Sequence, residues 1–420
     1  MEPEKKPSAF AVLKIKDFKY LLLARFLLTM GIQMQSVIVG WQVYAHTKDA
    51  LSLGLIGLAE AIPFLLIALF AGHWADIYNR KRIIVLSTCV YGFAAFMLLL
   101  ITWKFQFVLD QYGIYPIFAI ITLTGIARGC GFPAASAIIP QIVPREQYTN
   151  SSTWNSAAWQ IAAVTGPAFG GLAYGFLGVN ISYSIVVTLI AGSIISVLLV
   201  KSRPVPEREK KETISESLKQ GFRFVFNNQI VLGSLSLDMF AVLFGGAVAV
   251  LPMFADQILH VGPEGLGFLR AAPSIGALIM AGIMAYKPSL NHAGRNLLGS
   301  VAIFGISTIL FAVSTNFYLS LLMLAVTGMF DMVSVILRST IIQLYTPDSM
   351  RGRVSAINSI FIGSSNEIGA FESGVAAKFL RLVPSVVMGG SMVLVVVGAI
   401  AKKAPKLRQL NMEKEMNQEV

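Results

Sequence analysis

The chain has 420 residues, 55% hydrophobic and 13% charged, with a mean hydropathy of +0.69. A soluble domain carries about 25% charged residues, so a large soluble fold is excluded and the outer surface faces lipid. The net charge is +11, and where the cations stand matters more than their sum. Cys89 and Cys130 both fall in apolar runs, which excludes a disulfide framework or a thiolate cluster and leaves them as small packing residues.

The N-terminus is basic, but the first apolar run is long and lacks a small-residue cleavage site, so it reads as a retained span, not a signal peptide. A spanning helix needs about 20 mostly apolar residues. Twelve runs qualify: 20–44, 53–75, 83–103, 115–140, 148–176, 180–200, 230–257, 265–286, 296–314, 317–344, 353–377 and 383–401. The predicted fold class is an all-α integral membrane protein of twelve spans. Its domains are a six-helix bundle over 1–200, a linker over 201–229, a second bundle over 230–402 and a tail over 403–420.

Lys and Arg set the orientation. Between spans two and three stands "GHWADIYNRKR" (72–82), with Arg80, Lys81 and Arg82; more cations follow in the central connection and the tail. Twenty-five lie on the side of the termini and four on the other. Both termini are therefore expected in the cytoplasm, and the basic charge needs no nucleic acid to explain it. In the linker, Thr213 and Glu216 form a capping-box pattern. Ile214, Leu218, Phe222 and Phe226 then recur every four residues, as in an interfacial helix.

The halves repeat. At an offset of 203, Gly125 meets Gly328, Arg128 meets Asp331, Gly166 meets Gly369 and Gly171 meets Gly374. Two six-span repeats joined by a cytoplasmic linker describe an alternating-access transporter.

On these residues the chain resembles the major facilitator superfamily, and within it the drug:proton antiporters, over essentially its whole length. Three motifs carry the resemblance. Gly72, Asp76, Arg80 and Lys81 match the family's loop between spans two and three. The glycine usual before the arginine is Asn79 here, a residue that tolerates positive φ. "AVTGPAFGG" (163–171) matches the antiporter motif through Gly166, Pro167, Gly170 and Gly171; the resemblance implies a seal against leak that marks exporters, and ordinary helix packing is the alternative. Arg128 resembles the family's buried arginine linked to proton transfer, although Gly131 follows at three residues, not four. "FKYLLLARFLLTMGIQMQSVIVGWQVY" (18–44) and "GFRFVFNNQ" (221–229) resemble the enterobactin-exporter and macrolide-efflux branch. The resemblance also implies that Asp76 holds a cytoplasmic gate. The physical form would be a carboxylate near the positive N-terminal end of a neighbouring helix, after Arg353.

An ionisable side chain at the bilayer centre costs at least ~2.5–3.5 kcal/mol, so it should face a cavity or a partner. Arg25, Glu60, Arg128, Asp238, Arg270, Asp331, Arg338, Glu367 and Glu372 stand inside spans. Arg25 either snorkels or faces the cavity. Arg338 and Glu372 lie toward span ends, where partial hydration is expected. Arg128 and Asp331 sit mid-span as repeat mates. They are expected to face each other across the substrate path, pairing in one conformation, with a fixed structural pair as the alternative. Glu60, just before Pro63, is the other candidate proton carrier, with Asp238 and Glu367 behind it. Gln33, Gln35, Trp41, Asn155 and Gln160 are candidate substrate contacts or helix-packing polar groups.

The four histidines sit in connections or at span ends. No HExxH, CxxC or Walker loop occurs, and no nucleophile–base constellation. These absences exclude an ATP-driven pump on this chain and an enzyme, and predict no cofactor and no metal. The expectation is a monomeric bacterial inner-membrane transporter that exports an amphipathic organic molecule in exchange for protons. A ferroportin-like metal exporter and a non-transporting receptor are the alternatives.

Overall fold

The structure is a computed structural model that describes residues 10–204, 214–286, 291–347 and 350–411. Among these residues every regular element is helical. The longer helices are α1 (Lys16–Thr47), α2 (Ala50–Ile77), α3 (Arg80–Trp103), α4 (Tyr115–Ala137), α5 (Tyr148–Leu199), α6 (Ile214–Asn227), α7 (Gln229–Gly245), α8 (Gly262–Tyr286), α9 (Ala293–Val313), α10 (Phe317–Tyr345), α11 (Arg351–Leu380) and α12 (Leu382–Lys403).

Ten helical stretches are long and apolar enough to cross a membrane. Within α5, Gly178 takes φ 78° and ψ 169°, so two helices meet there at a kink. Only glycine adopts that backbone without steric cost. α11 is not among the ten; it carries Asn358, Asn366, Glu367 and Glu372 among its apolar residues.

Helix starts follow from short polar side chains. Asn79 accepts from the Arg82 amide, Asn228 from those of Ile230 and Val231, and Asn316 from that of Leu319. Each satisfies donors that a helix start leaves open. This corrects the expectation for Asn79. Its φ is −60°, so the turn uses its capping oxygen and not its tolerance of positive φ.

The chain forms two compact units: residues 1–47, 59–209 and 262–267 make unit 1, and 48–58, 210–261 and 268–420 make unit 2. The division does not fall at the linker alone, because a short segment from each half packs within the other unit.

In unit 1, α5 packs along α1 and against α3. Tyr183 is fully buried; its hydroxyl donates to Gln42 Oε1 at 2.7 Å, and Gln42 Nε2 donates to Thr102 Oγ1 at 3.2 Å. The chain lets three polar side chains satisfy one another inside an apolar core. In unit 2, the Phe254 and Phe311 rings meet within the core with centroids 4.7 Å apart and planes tilted by 45°.

α6 packs on α11 through Val225, which is fully buried with Val354 and Ile357, while Phe226 is 58% exposed. The face packed on α11 runs through Gly221 and Val225, with Phe222 partly buried against the same cluster. Thr213 of the expected capping box lies outside the described residues, and so do the side chains of Ile214, Glu216 and Leu218.

Candidate functional site

In unit 1, α2 and α4 cross at Gly125. A methyl group at that position would run into the Glu60 carbonyl oxygen and come within 3.0 Å of Pro63. Glycine therefore sets the helix separation, and one turn further on Arg128 reaches Glu60. Its Nη1 lies 3.2 Å from Glu60 Oε1, and its guanidinium lies over the Phe64 ring at 4.7 Å from the centroid. The two side chains remain 37% and 27% exposed. The pair is formed without being sealed.

The crossing of α8 and α10 in unit 2 repeats this design. A methyl at Gly328 would run into the Pro273 carbonyl, and one at Gly276 into that of Ala325. Asp331, Ser334 and Arg338 share one face of α10, turned toward Asp238 of α7. Arg338 and Asp238 form an ion pair and are 4% and 5% exposed. This corrects the expectation that Arg338 is partly hydrated. Asp238, Asp331 and Ser334 line one small cavity with Phe304 and Phe330, with space for about one water. Among the described residues Asp331 has no hydrogen-bond or ion-pair partner. Two carboxylates thus face one cavity beside a single guanidinium, and Asp238 already holds that guanidinium.

The structure joins other predicted residues pairwise. Arg25 Nη1 donates to Asn155 Oδ1 at 3.3 Å, so the snorkelling position and the α5 polar position meet. Gly166 and Gly170 seat α5 against α1: a methyl at Gly166 would stand 2.6 Å from Gln33 Cβ, and one at Gly170 2.9 Å from the Met34 carbonyl. Gln35 is buried, and its Oε1 has no hydrogen-bond partner. Trp41 packs edge-on to Tyr44. Gln160 is half-buried on α5. Glu367 stands beside Gly57 of α2.

Gly171 makes a second approach, to the start of α8. A methyl there would stand 2.5 Å from the Pro263 carbonyl and 2.6 Å from Gly267 Cα. Gly374, its repeat mate, meets Ala50 and Gly54 in the same way in unit 2, at 2.8 Å each. Sequence reading found Gly171 and Gly374 but missed Gly54 and Gly267. Their offset is ten residues larger than 203, because the first half carries the extra helix Gln106–Tyr112 between α3 and α4.

In the loop motif, Arg80 Nη1 donates to the Ala137 carbonyl at 2.9 Å and Lys81 Nζ to the Leu198 carbonyl at 2.8 Å. Both cations cap C-terminal helix ends, where the dipole is negative. The side chain of Asp76 and the surroundings of Gly72 lie outside the described residues, as does part of the matching connection, 287–290.

Outside the spans, Asp49 accepts from the Ser52 amide and hydroxyl at 3.0 Å each and faces Lys378 at 3.6 Å. Burial raises its pKa, but the Ser52 bonds, Lys378 and the Leu51 amide outweigh that and hold the carboxyl below its ordinary value. Among the described residues no group of three or more His, Cys, Asp and Glu side chains is placed to hold a metal.

A family model described as "transmembrane secretion effector" matches residues 7–419. The enterobactin exporters EntS of Shigella boydii serotype 18 and of Escherichia coli O81 are each 27% identical over 391 residues, covering 90% of this chain and 89% of theirs. Among solved structures, the peptide transporter POT in complex with sulfate aligns with a TM-score of 0.74 at 12% identity, over 94% of this chain and 96% of that one. The nucleoside transporter NupG aligns with a TM-score of 0.69 at 14% identity, over 92% and 98%. At such identities the structures show the fold alone.

Proposed function

The chain belongs to the transmembrane secretion effector family of the major facilitator superfamily, and on that premise we propose that it exports an amphipathic organic molecule in exchange for protons. The family and its relatives are transporters, not enzymes, and the chain is a multi-pass protein of a bacterial inner membrane. The further reading is a monomer of twelve spans, counting α11 and both halves of α5, with both termini cytoplasmic and an alternating-access cycle. The substrate class proposed is a siderophore of the enterobactin type, because the relatives that match along nine-tenths of the chain are named for it.

The observation that carries proton coupling is the Glu60–Arg128 pair. An ion pair between two apolar helices, half open at 3.2 Å, has a carboxylate that can lose its partner and take a proton without leaving a buried charge uncompensated. Asp331 is the second candidate carrier, since its neighbour Asp238 is already neutralised by Arg338. Arg128 and Asp331 then act as repeat mates in different settings, one paired within its unit and one lining a cavity. Gly166, Pro167, Gly170 and Gly171 hold α5 at the close separation that export requires, and Asp76 with Arg80 and Lys81 forms the cytoplasmic gate.

The test is accumulation of iron-free enterobactin by everted membrane vesicles with an acid interior. The expected result is accumulation that a protonophore abolishes. Binding of enterobactin with no flux would support the receptor reading instead. Flux indifferent to the protonophore would remove proton coupling.

A further inference from the structure

The span that begins with α7 does not run through as one helix. α7 ends at Gly245, Gly246 leaves helical geometry at φ −72° and ψ 46°, and a 3-10 turn over Ala247–Val250 follows. A helix end leaves its last carbonyls without intrahelical donors. Here they lie against glycines. A methyl at Gly369 would stand 2.8 Å from the Leu243 carbonyl and 3.0 Å from that of Val242, and one at Gly389 would run into that of Phe244. The two glycines let the backbones of α11 and α12 close on these oxygens.

Beside this broken end is a second cavity, lined by Phe244, Ala247, Glu372, Ser373, Ser385 and Val386, again with space for about one water. Its polar lining is short of donors. Ser373 Oγ spends its proton on the Gly246 carbonyl at 3.0 Å, and Ser385 Oγ on the Leu382 carbonyl at 2.8 Å. Both hydroxyls therefore have only lone pairs left to offer. Among the described residues the Glu372 carboxylate has no hydrogen-bond or ion-pair partner. A water has two protons, fewer than the three acceptor side chains around it, and the negative end of a helix adds to the deficit.

We propose that this cavity binds one sodium-sized monovalent cation through Glu372, Ser373, Ser385 and the broken end of α7. Oxygen-only ligation suits a hard cation. A single carboxylate balances one positive charge and not two, and magnesium retains several waters that this space cannot hold. Carbonyls of interrupted membrane helices are the groups that coordinate coupling ions in other transporter folds. The lining shares no residue with the cavity lined by Asp331. It deepens the transport reading by supplying a second ion whose gradient can drive the cycle.

The experiment uses the purified full-length protein in detergent and no transported substrate, so it stands apart from the efflux test. Thermal unfolding is followed in sodium chloride and in choline chloride at equal ionic strength and one fixed pH. Sodium should raise the Tm of the wild type by several degrees in a saturating manner. Glu372→Gln should abolish the response, and Ser385→Ala should shift its midpoint to at least roughly tenfold higher sodium. Binding of radioactive sodium to the wild type should saturate near one ion per chain. Equal Tm values in the two salts, no saturable sodium binding, or a full sodium response in Glu372→Gln would overturn the proposal. Glu372→Asp, which keeps the charge on a shorter stem, should retain a weakened response should the Gln variant fail to fold.

Discussion

Two membrane ion pairs among the described residues are built from the same chemistry and differ in their surroundings. Glu60 and Arg128 of unit 1 meet at 3.2 Å with side chains 27% and 37% exposed. Asp238 and Arg338 of unit 2 meet with side chains 6% and 5% exposed. A sealed pair cannot be broken without stranding a charge, so it acts as structure. An open pair can exchange its partner for water or a proton at small cost, so it is suited to a cycle. Neither residue type nor span position tells these cases apart; the packing around the pair does.

The largest effect should come from halving the sealed pair. Arg338→Met leaves Asp238 buried and uncompensated, a loss of about 3–5 kcal/mol. It should appear as a collapse in yield and Tm in detergent. The double variant Asp238→Leu with Arg338→Met should recover most of that stability, and a single variant with wild-type Tm would contradict the sealed assignment.

Next comes Gly125→Val, which pushes α4 off α2 by colliding with the Glu60 carbonyl. Overpacking of this kind costs about 1–3 kcal/mol, and separating Arg128 from Glu60 should abolish gradient-driven transport even in the folded fraction. Transport at the wild-type rate would show that the crossing does not set the pair. A smaller change is expected from Arg80→Gln, which removes a cation from a helix C-terminus and should lower stability by about 0.3–1 kcal/mol, read as a modest Tm shift.

The smallest effect concerns Asp49. Its pKa is held down in the fold, so its stabilisation is present above the unfolded carboxyl value of about 3.9. It is lost as pH falls through the lower folded value. Ser52→Ala removes the hydroxyl bond that helps depress it and leaves the amide bond in place. Its Tm deficit relative to wild type should be constant near neutral pH and shrink in acid below that range. A deficit that grew with acidification would contradict the sign.

Much of this fold was legible because its determinants are local. Apolar runs of span length mark the helices, and the gap placed between 176 and 180 coincides with the Gly178 kink. Gly171 and Gly374 were visible as repeat mates because the later spans keep one register. Their partners Gly54 and Gly267 were not, because the extra helix in the first half shifts that register. The ion pairs were the least legible. Glu60 and Arg128 stand 68 residues apart, and only the Gly125 crossing brings them together. Arg338 looked accessible from its place near a span end, yet Asp238 and the side chains around it close it off. The roles of Arg80 and Lys81 as helix caps were hidden behind their value as orientation charges.

The central claim is that the open pair couples transport to protons. The most direct test is Glu60→Gln, reconstituted and assayed twice with iron-free enterobactin. A proton gradient should drive no accumulation, while equilibrium exchange of labelled for unlabelled enterobactin across the membrane should continue at near the wild-type rate. Gradient-driven accumulation at the wild-type level in Glu60→Gln would contradict the account.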